Sequence, residues 1–330
     1  MIFQLEGWSE TVKRILIPVL MTFGVVASQA ADLDVVQVRP NFYMIAGAGG
    51  NIGVQIGDEG LVLSNAGTEA MAPQVSAALK KLSPLPIRYI IDTNADADFV
   101  GGNAALAKTG QTIFINLLGG GGGGLANAMT NGGAAAVLAH DSVMRRMSAP
   151  SGKKSAYPTD AWPTEAFYPN RTAIRMNGEG IEVTHFASAH SDADSFVLYR
   201  GSDVVVAGDI VDMTRFPVID VEHGGSIDGE ITALNKLIEM AIAPIPFIYR
   251  GVGTYVIPGH GRLCEQMEIV DYRDMVVVVR DNVEDLIKQG KTLDQIKAAH
   301  PALSYETQFG NNGATNEFVE SIYKSLTAKK

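Results

Sequence analysis

One cysteine, Cys264, stands among 330 residues, so no intramolecular disulfide is available and the fold has to rest on apolar burial. The lack of disulfides leaves the compartment open, because exported chains need not use them. Positive charge is also scarce. Lys and Arg number 26 against 36 Asp and Glu, a formal net charge of −10 with no basic cluster to offset it. That balance argues against a nucleic-acid partner, since such a surface repels a phosphate backbone on average. Long apolar runs are missing apart from Ile15–Ala27, which is too short to span a bilayer comfortably. The six consecutive glycines Gly119–Gly124 lack the Lys-Ser/Thr that follows a phosphate-binding loop and the spaced glycines of a dinucleotide site, so they read as a flexible insertion.

What is present is a globular composition. Hydrophobic residues make up 46% and charged residues 19%, enough for a large core in one α/β domain or two smaller ones. The N-terminus is of a different kind. Lys13-Arg14 precede the apolar run, which ends in Ser28-Gln29-Ala30 before Ala31-Asp32, the pattern of a cleaved secretory signal. The reading is therefore a signal peptide over residues 1–30, a mature chain beginning near Ala31, and a periplasmic or secreted protein with no membrane association after cleavage.

Short β-branched or aromatic runs then alternate with turn residues: Val35–Val38, Phe42–Ile45, Ile52–Ile56 and Leu61–Leu63, the simplest topology being a meander of hairpins. Ala72, Val75, Ala78, Leu79 and Leu82 recur at helical spacing, Pro84 and Pro86 break the chain, and a buried-type strand follows to Ile91. That strand runs into Asn94, Asp96 and Asp98, oxygen-bearing side chains at every second residue, and then Gly101-Gly102 lead into a helix. An extended loop would turn all three to one side, as a divalent cation requires, although polar residues are also ordinary in solvated loops. Further strands are expected at Thr112–Ile115 and at Ala134–Ala139, the latter ending at His140. Residues 148–170, carrying Tyr157, Trp162, Phe167 and Tyr168, read as an ordered surface loop that could wall a pocket.

The second half repeats the theme of strands that deliver polar residues at their ends. Ile181–Phe186 runs on to His190, Asp192 and Asp194; Val204–Ala207 ends at Gly208-Asp209; Tyr255–Ile257 ends at Pro258-Gly259-His260. Small residues beside each let the backbone approach closely. Asp192 and Asp194 read either as partners that hold His190 or as turn residues, while His140, His185, His223 and His300 read as ordinary.

Taken in order, Thr-Asn94-x-Asp96-x-Asp98-Phe99-x-Gly-Gly, Ala-His190-Ser-Asp-x-Asp-Ser, Ala-Gly-Asp209 and Ile-Pro-Gly-His260-Gly resemble the motifs of the metallo-β-lactamase superfamily over about Val35 to Arg262. The resemblance implies an αββα sandwich of two mixed β-sheets flanked by helices, a domain over residues 31–270 with its site at one edge, and a C-terminal helical extension over 271–330 packed on the same domain. The family's first motif is usually His-x-His-x-Asp-His. Here Asn94 and Asp96 replace its first two histidines, Phe99 replaces the last, and Asn65 stands where many members have an Asp.

Carried over position by position, the resemblance offers one metal Asn94, Asp96, His190 and a bridging Asp209, and the other Asp98, His260 and Asp209. Asn is a poor zinc ligand, so the expectation is one zinc ion rather than two, at Asp98, Asp209 and His260, with manganese or iron as alternatives for a carboxylate-rich set. Asp98 would orient the attacking hydroxide. The implied activity is an exported metal-dependent hydrolase that attacks an ester, thioester, lactone or β-lactam carbonyl of a small-molecule substrate. The other reading is a member whose site has decayed and which acts as a non-enzymatic binding protein.

Overall fold

The N-terminal alternation does form a meander. β1 (Asp34–Arg39), β2 (Phe42–Ala46), β3 (Ile52–Gly57) and β4 (Gly60–Ser64) pair antiparallel in sequence order. β4 is buried at every position, and the chain returns through α1 (Ala72–Leu82) to β5 (Ile87–Ile91), which lies parallel to β4. Two short helices follow, α2 (Ala97–Val100) and α3 (Asn103–Thr109). β6 (Ala136–His140), α4 (Asp141–Ser148) and β7 (Glu165–Phe167) complete a seven-stranded mixed sheet in the order β1 to β7.

These assignments come from a computed structural model, which describes residues 33–112, 133–148, 154–244, 253–310 and 312–328. They belong to one unit, Leu33–Lys330. The signal peptide expected over residues 1–30, the glycine run and most of the strand expected at Thr112–Ile115 lie outside the described residues, and Thr112 itself is not in a strand.

A second sheet holds β8 (Arg171–Met176), β9 (Glu179–Phe186), β10 (Asp194–Tyr199) and β11 (Val204–Asp212), all antiparallel. After α5 (Ile227–Met240), β12 (Tyr255–His260) joins parallel to β11, giving the order β12-β11-β10-β9-β8. The C-terminal helices are α6 (Gln266–Lys288), α7 (Leu293–Ala298), α8 (Glu306–Phe309) and α9 (Asn312–Thr327). α6 starts ahead of the expected boundary at Asp271, because Glu265 and Glu268 form a capping box that fixes its first turn.

The two sheets pack face to face over a core that includes Phe42, Val62, Ile91, Val197, Tyr199 and Ile257. Phe42 meets Tyr199 edge-on at 4.6 Å, and the buried Tyr199 hydroxyl is satisfied by Ser64 Oγ at 2.8 Å. Gly53 marks a close approach, since a Cβ there would lie 2.7 Å from Val206 Cγ2. On the outer face of the first sheet, Val75, Leu79 and Leu106 cover Leu63 and Ile90. On the outer face of the second, Leu234, Leu237, Tyr272, Val276 and Phe318 cover Phe196 and Val205. The layers are therefore helix, sheet, sheet, helix, an αββα sandwich. Among the described residues no helix is long and apolar enough to cross a membrane.

Candidate metal centre

Four chain segments meet where β5, β11 and β12 end and β9 turns into β10. Asn65, at the end of β4, has a left-handed backbone (φ 70°), a conformation Asn tolerates better than most residues. Its Oδ1 accepts from Thr93 N and Thr93 Oγ1, at 3.0 and 2.8 Å, and its Nδ2 donates to Asn51 O at 3.3 Å. Asn51 Nδ2 donates in turn to Pro258 O and Gly261 O, both at 2.9 Å. Two asparagines thus tie the loop after β5 to the end of β12. Gly208 (φ 56°) breaks the register between β11 and β12, and a Cβ on it would strike Thr93 Oγ1 at 2.5 Å. Glycine is required there for the turn that aims Asp209 into the edge.

Asn94 Nδ2 donates to Asp209 Oδ2 at 2.9 Å, while its Oδ1 accepts from Asp96 N at 3.0 Å. Both ends of the amide are engaged, and they hold two carboxylates beside His190. His190 Nε2 lies 3.1 Å from Asp96 Oδ2 and 4.0 Å from Asp209 Oδ2, and its Nδ1 donates to Val218 O at 2.7 Å. On the other side of Asp209, His260 Nε2 lies 3.4 Å from Asp209 Oδ1 and 3.0 Å from Asp98 Oδ2. Neither contact has the alignment of a hydrogen bond, which leaves this buried nitrogen without a hydrogen-bond partner. Asp209 therefore faces both imidazoles, one with each oxygen.

The charges follow from that geometry. Burial works against a charged His190, yet Asp96, Asp194 and Asp209 outweigh it and hold its pKa well above the usual value. Burial likewise opposes the Asp96 carboxylate, but His190 and Arg146 more than offset it and lower its pKa. For His260, burial again opposes the charge and the Asp209 and Asp98 carboxylates push its pKa up to about 10. Asp194, fully buried, is pushed up to about 7 by desolvation.

Among the described residues, Asp96, His190 and Asp209 form the group of three whose donor atoms lie within 4.8 Å of one another. Their chemistry fits a divalent cation. Two carboxylates flank an imidazole whose Nδ1 is tied to a backbone carbonyl, the arrangement that turns Nε2 toward an ion. His260 and Asp98 stand next to this set, across Asp209. The sequence pointed to Asp98, Asp209 and His260 as the better-assembled half. The geometry favours the other half, because Asn94 draws Asp96 and Asp209 together.

Phe99 offers no ligand atom. Its ring is fully buried, fills the space above Gly50 and meets His260 edge-on at 5.6 Å. Asp194 Oδ2 accepts from Ser191 N and Ser191 Oγ, so it shapes the loop rather than bonding His190. His140 and His185 stack on each other at 3.4 Å, His223 pairs with Asp220, and His300 lies 3.8 Å from Glu306. Sequence reasoning missed Arg146 of α4, whose Nη2 lies 3.4 Å from Asp96 Oδ1 and 3.6 Å from Asp220 Oδ2. It also missed the Val218 carbonyl. No spacing signal could have found either, since both reach the site across the fold.

The family model described as the metallo-beta-lactamase superfamily matches residues 47–249, well over half of the chain. Among solved structures, the stereoselective inverting sec-alkylsulfatase Pisa1 from Pseudomonas sp. is similar at 15% identity and a TM-score of 0.63, over 90% of this chain and 51% of that one. The chain thus spans about half the length of that enzyme. A metallo-beta-lactamase from Pontibacter korlensis is similar at 14% identity and a TM-score of 0.50, over 74% of this chain and 99% of that one. Identities this low carry a likeness of fold. No curated protein matches the chain. With the family model spanning the loop after β5, His190 and Asp209, and with the same layered sandwich in the solved structures, the chain belongs to the metallo-beta-lactamase superfamily.

Proposed function

We propose that the protein is a metal-dependent hydrolase that acts on the carbonyl of a small ester, thioester, lactone or β-lactam. The observation that carries this reading is the convergence of Asp96, His190 and Asp209, with His260 and Asp98 adjoining them. A divalent cation, zinc before manganese or iron, would acidify a water and polarise the scissile carbonyl there. Asp96, His190 and Asp209 would hold it. The chain's own groups do the rest. Val218 O fixes the His190 tautomer, Asn94 keeps Asp209 turned inward, and Asp98, beside His260, would orient a water and take up its proton.

The test is elemental analysis of untagged protein together with turnover of an ester and lactone panel. The expected result is near-stoichiometric metal and hydrolysis in the wild type, with both lost in His190→Ala. Protein that carries no metal, takes up none on reconstitution and turns nothing over would favour the second reading, a binding protein whose site has decayed. One observation supports that alternative: Asp96 and Asp98 already sit against imidazoles, so the carboxylates are neutralised without a cation.

Export belongs to the same proposal and rests on the Lys13-Arg14, apolar and Ser28–Ala30 pattern. Mass spectrometry of protein from a native-like host should find the mature N-terminus near Ala31, and an intact Met1 in the cytoplasm would sink it.

A further inference from the structure

The segment that supplies the Val218 carbonyl to His190 also lines a groove of about 450 Å³, which runs from Asp96 and His190 outward between residues 215–222 and α9. Its inner wall is apolar. Phe216 and Phe318 stack at 5.2 Å beneath it, and Val218 exposes 41% of its surface beside Pro217.

Its charges are unevenly matched. Each of the three lining bases is committed: Arg215 Nε to Asp212 at 2.8 Å, Lys324 Nζ to Glu320 at 2.8 Å, and His190 Nε2 to Asp96 at 3.1 Å. Glu222 and Glu317, both exposed on the lining, make no ion pair within 4.0 Å among the described residues, although Lys324 lies close enough to Glu222 to feel its charge. Asp220, shared with His223 and Arg146, and Glu320, shared with Lys324 and Lys297, add two further carboxylates. A dication held by Asp96 and Asp209 would be neutralised by those two groups, leaving the outer rim to set the sign of the potential.

Resting on the reading of the adjoining cluster as a reaction centre, we propose that this groove is the substrate cleft and that it selects small molecules with an apolar body and a positively charged group, against anionic ones. The apolar floor takes the body, and Glu222 and Glu317 face the cation at the mouth. Exposed charges at such separations are worth little individually, so the discrimination is modest and depends on salt.

Three isosteric fluorescent probes test this, a dansyl group on a short alkyl chain that ends in trimethylammonium, tert-butyl or sulfonate. None of these tails is a strong metal ligand and the dansyl sulfonamide is common to all three, so the differences in binding among them report the groove. At low salt the expected affinity order is trimethylammonium, tert-butyl, sulfonate, spanning about tenfold and shrinking at about 0.5 M salt. The double variant Glu222→Lys/Glu317→Lys, changed only at exposed positions, should reverse the order. The proposal is overturned if the sulfonate binds as tightly as the trimethylammonium, if charge reversal leaves the order unchanged, or if none of the three binds. Should the order hold while no ester bearing the same tails is turned over, the groove's preference for a cationic ligand stands and the hydrolase reading alone fails.

Discussion

Single residues decide how this site differs from the family pattern. Asn94 is the clearest case. Regarded as a ligand it is weak and expendable, yet its amide straps Asp209 on one side and the Asp96 backbone on the other. Removing groups that orient metal ligands typically costs about 10- to 100-fold in affinity. Asn94→Ala is therefore expected to weaken zinc binding by about tenfold or more, measured by competition with a chelating dye, with a melting curve to show that the fold survives. An unchanged affinity would make the strap irrelevant. Phe99→His works in the opposite direction. The ring already abuts His260, so an imidazole in its place adds a donor beside the centre while putting a polar group into a fully buried pocket. Zinc affinity should rise and stability should fall by about 1–3 kcal/mol, a pair of shifts that a ring turned away from the site would not produce.

At the scale of elements, the legible parts were those with a strong period or a strong break. The β1–β4 meander, α1, β5 and the strand ending at His260 could be read because apolar runs met glycine, proline or a polar cluster at their ends, whereas β11 continues through Gly208-Asp209, where an end was expected, to Asp212. The convergence of Asp96, Asp98, His190, Asp209 and His260 on one edge was legible through motif order. Their pairing was not, because it depends on which way the Asn94 amide faces and on Arg146 and Val218, which arrive from distant segments. Nor did the sequence single out α5 or its Glu230. This glutamate is fully buried, and neither oxygen has a hydrogen-bond partner. Desolvation, reinforced by the nearby Asp194 and Asp209 carboxylates against His190, raises its pKa well above the ordinary 4.5. A carboxyl whose folded pKa is raised holds its proton more tightly in the native state. Its contribution is complete below 4.5 and is lost as pH rises through the folded value. Glu230→Gln removes that loss. Its melting temperature relative to the wild type should climb as pH is raised from about 4.5 upward, and a constant gap between the two curves would show that Glu230 does not titrate abnormally.

Across the whole molecule, the C-terminal helices are part of the sandwich core rather than an appendage. Phe318, Val319 and Ile322 of α9 lie in one apolar cluster with Phe196 and Val205 of the second sheet and Tyr272 of α6, and Phe318 stacks on Phe216 at the floor of the groove. α9 therefore ties the stability of the helical layer to the shape of the cleft. If the tail and the sheets share one core, they should unfold together, since removing the helices would expose the outer face of the second sheet to water. Phe318→Ala deletes a large, almost fully buried ring, a change that typically costs about 3–5 kcal/mol. The expected result is a single transition at lower temperature, seen alike by far-ultraviolet circular dichroism and by tryptophan fluorescence, with weaker binding of the trimethylammonium probe because the floor beneath it has been hollowed out. Two separated transitions, with only the first displaced by the substitution, would instead show the tail to be an independently melting layer whose loss leaves the sheets and the Asp96, His190 and Asp209 cluster in place.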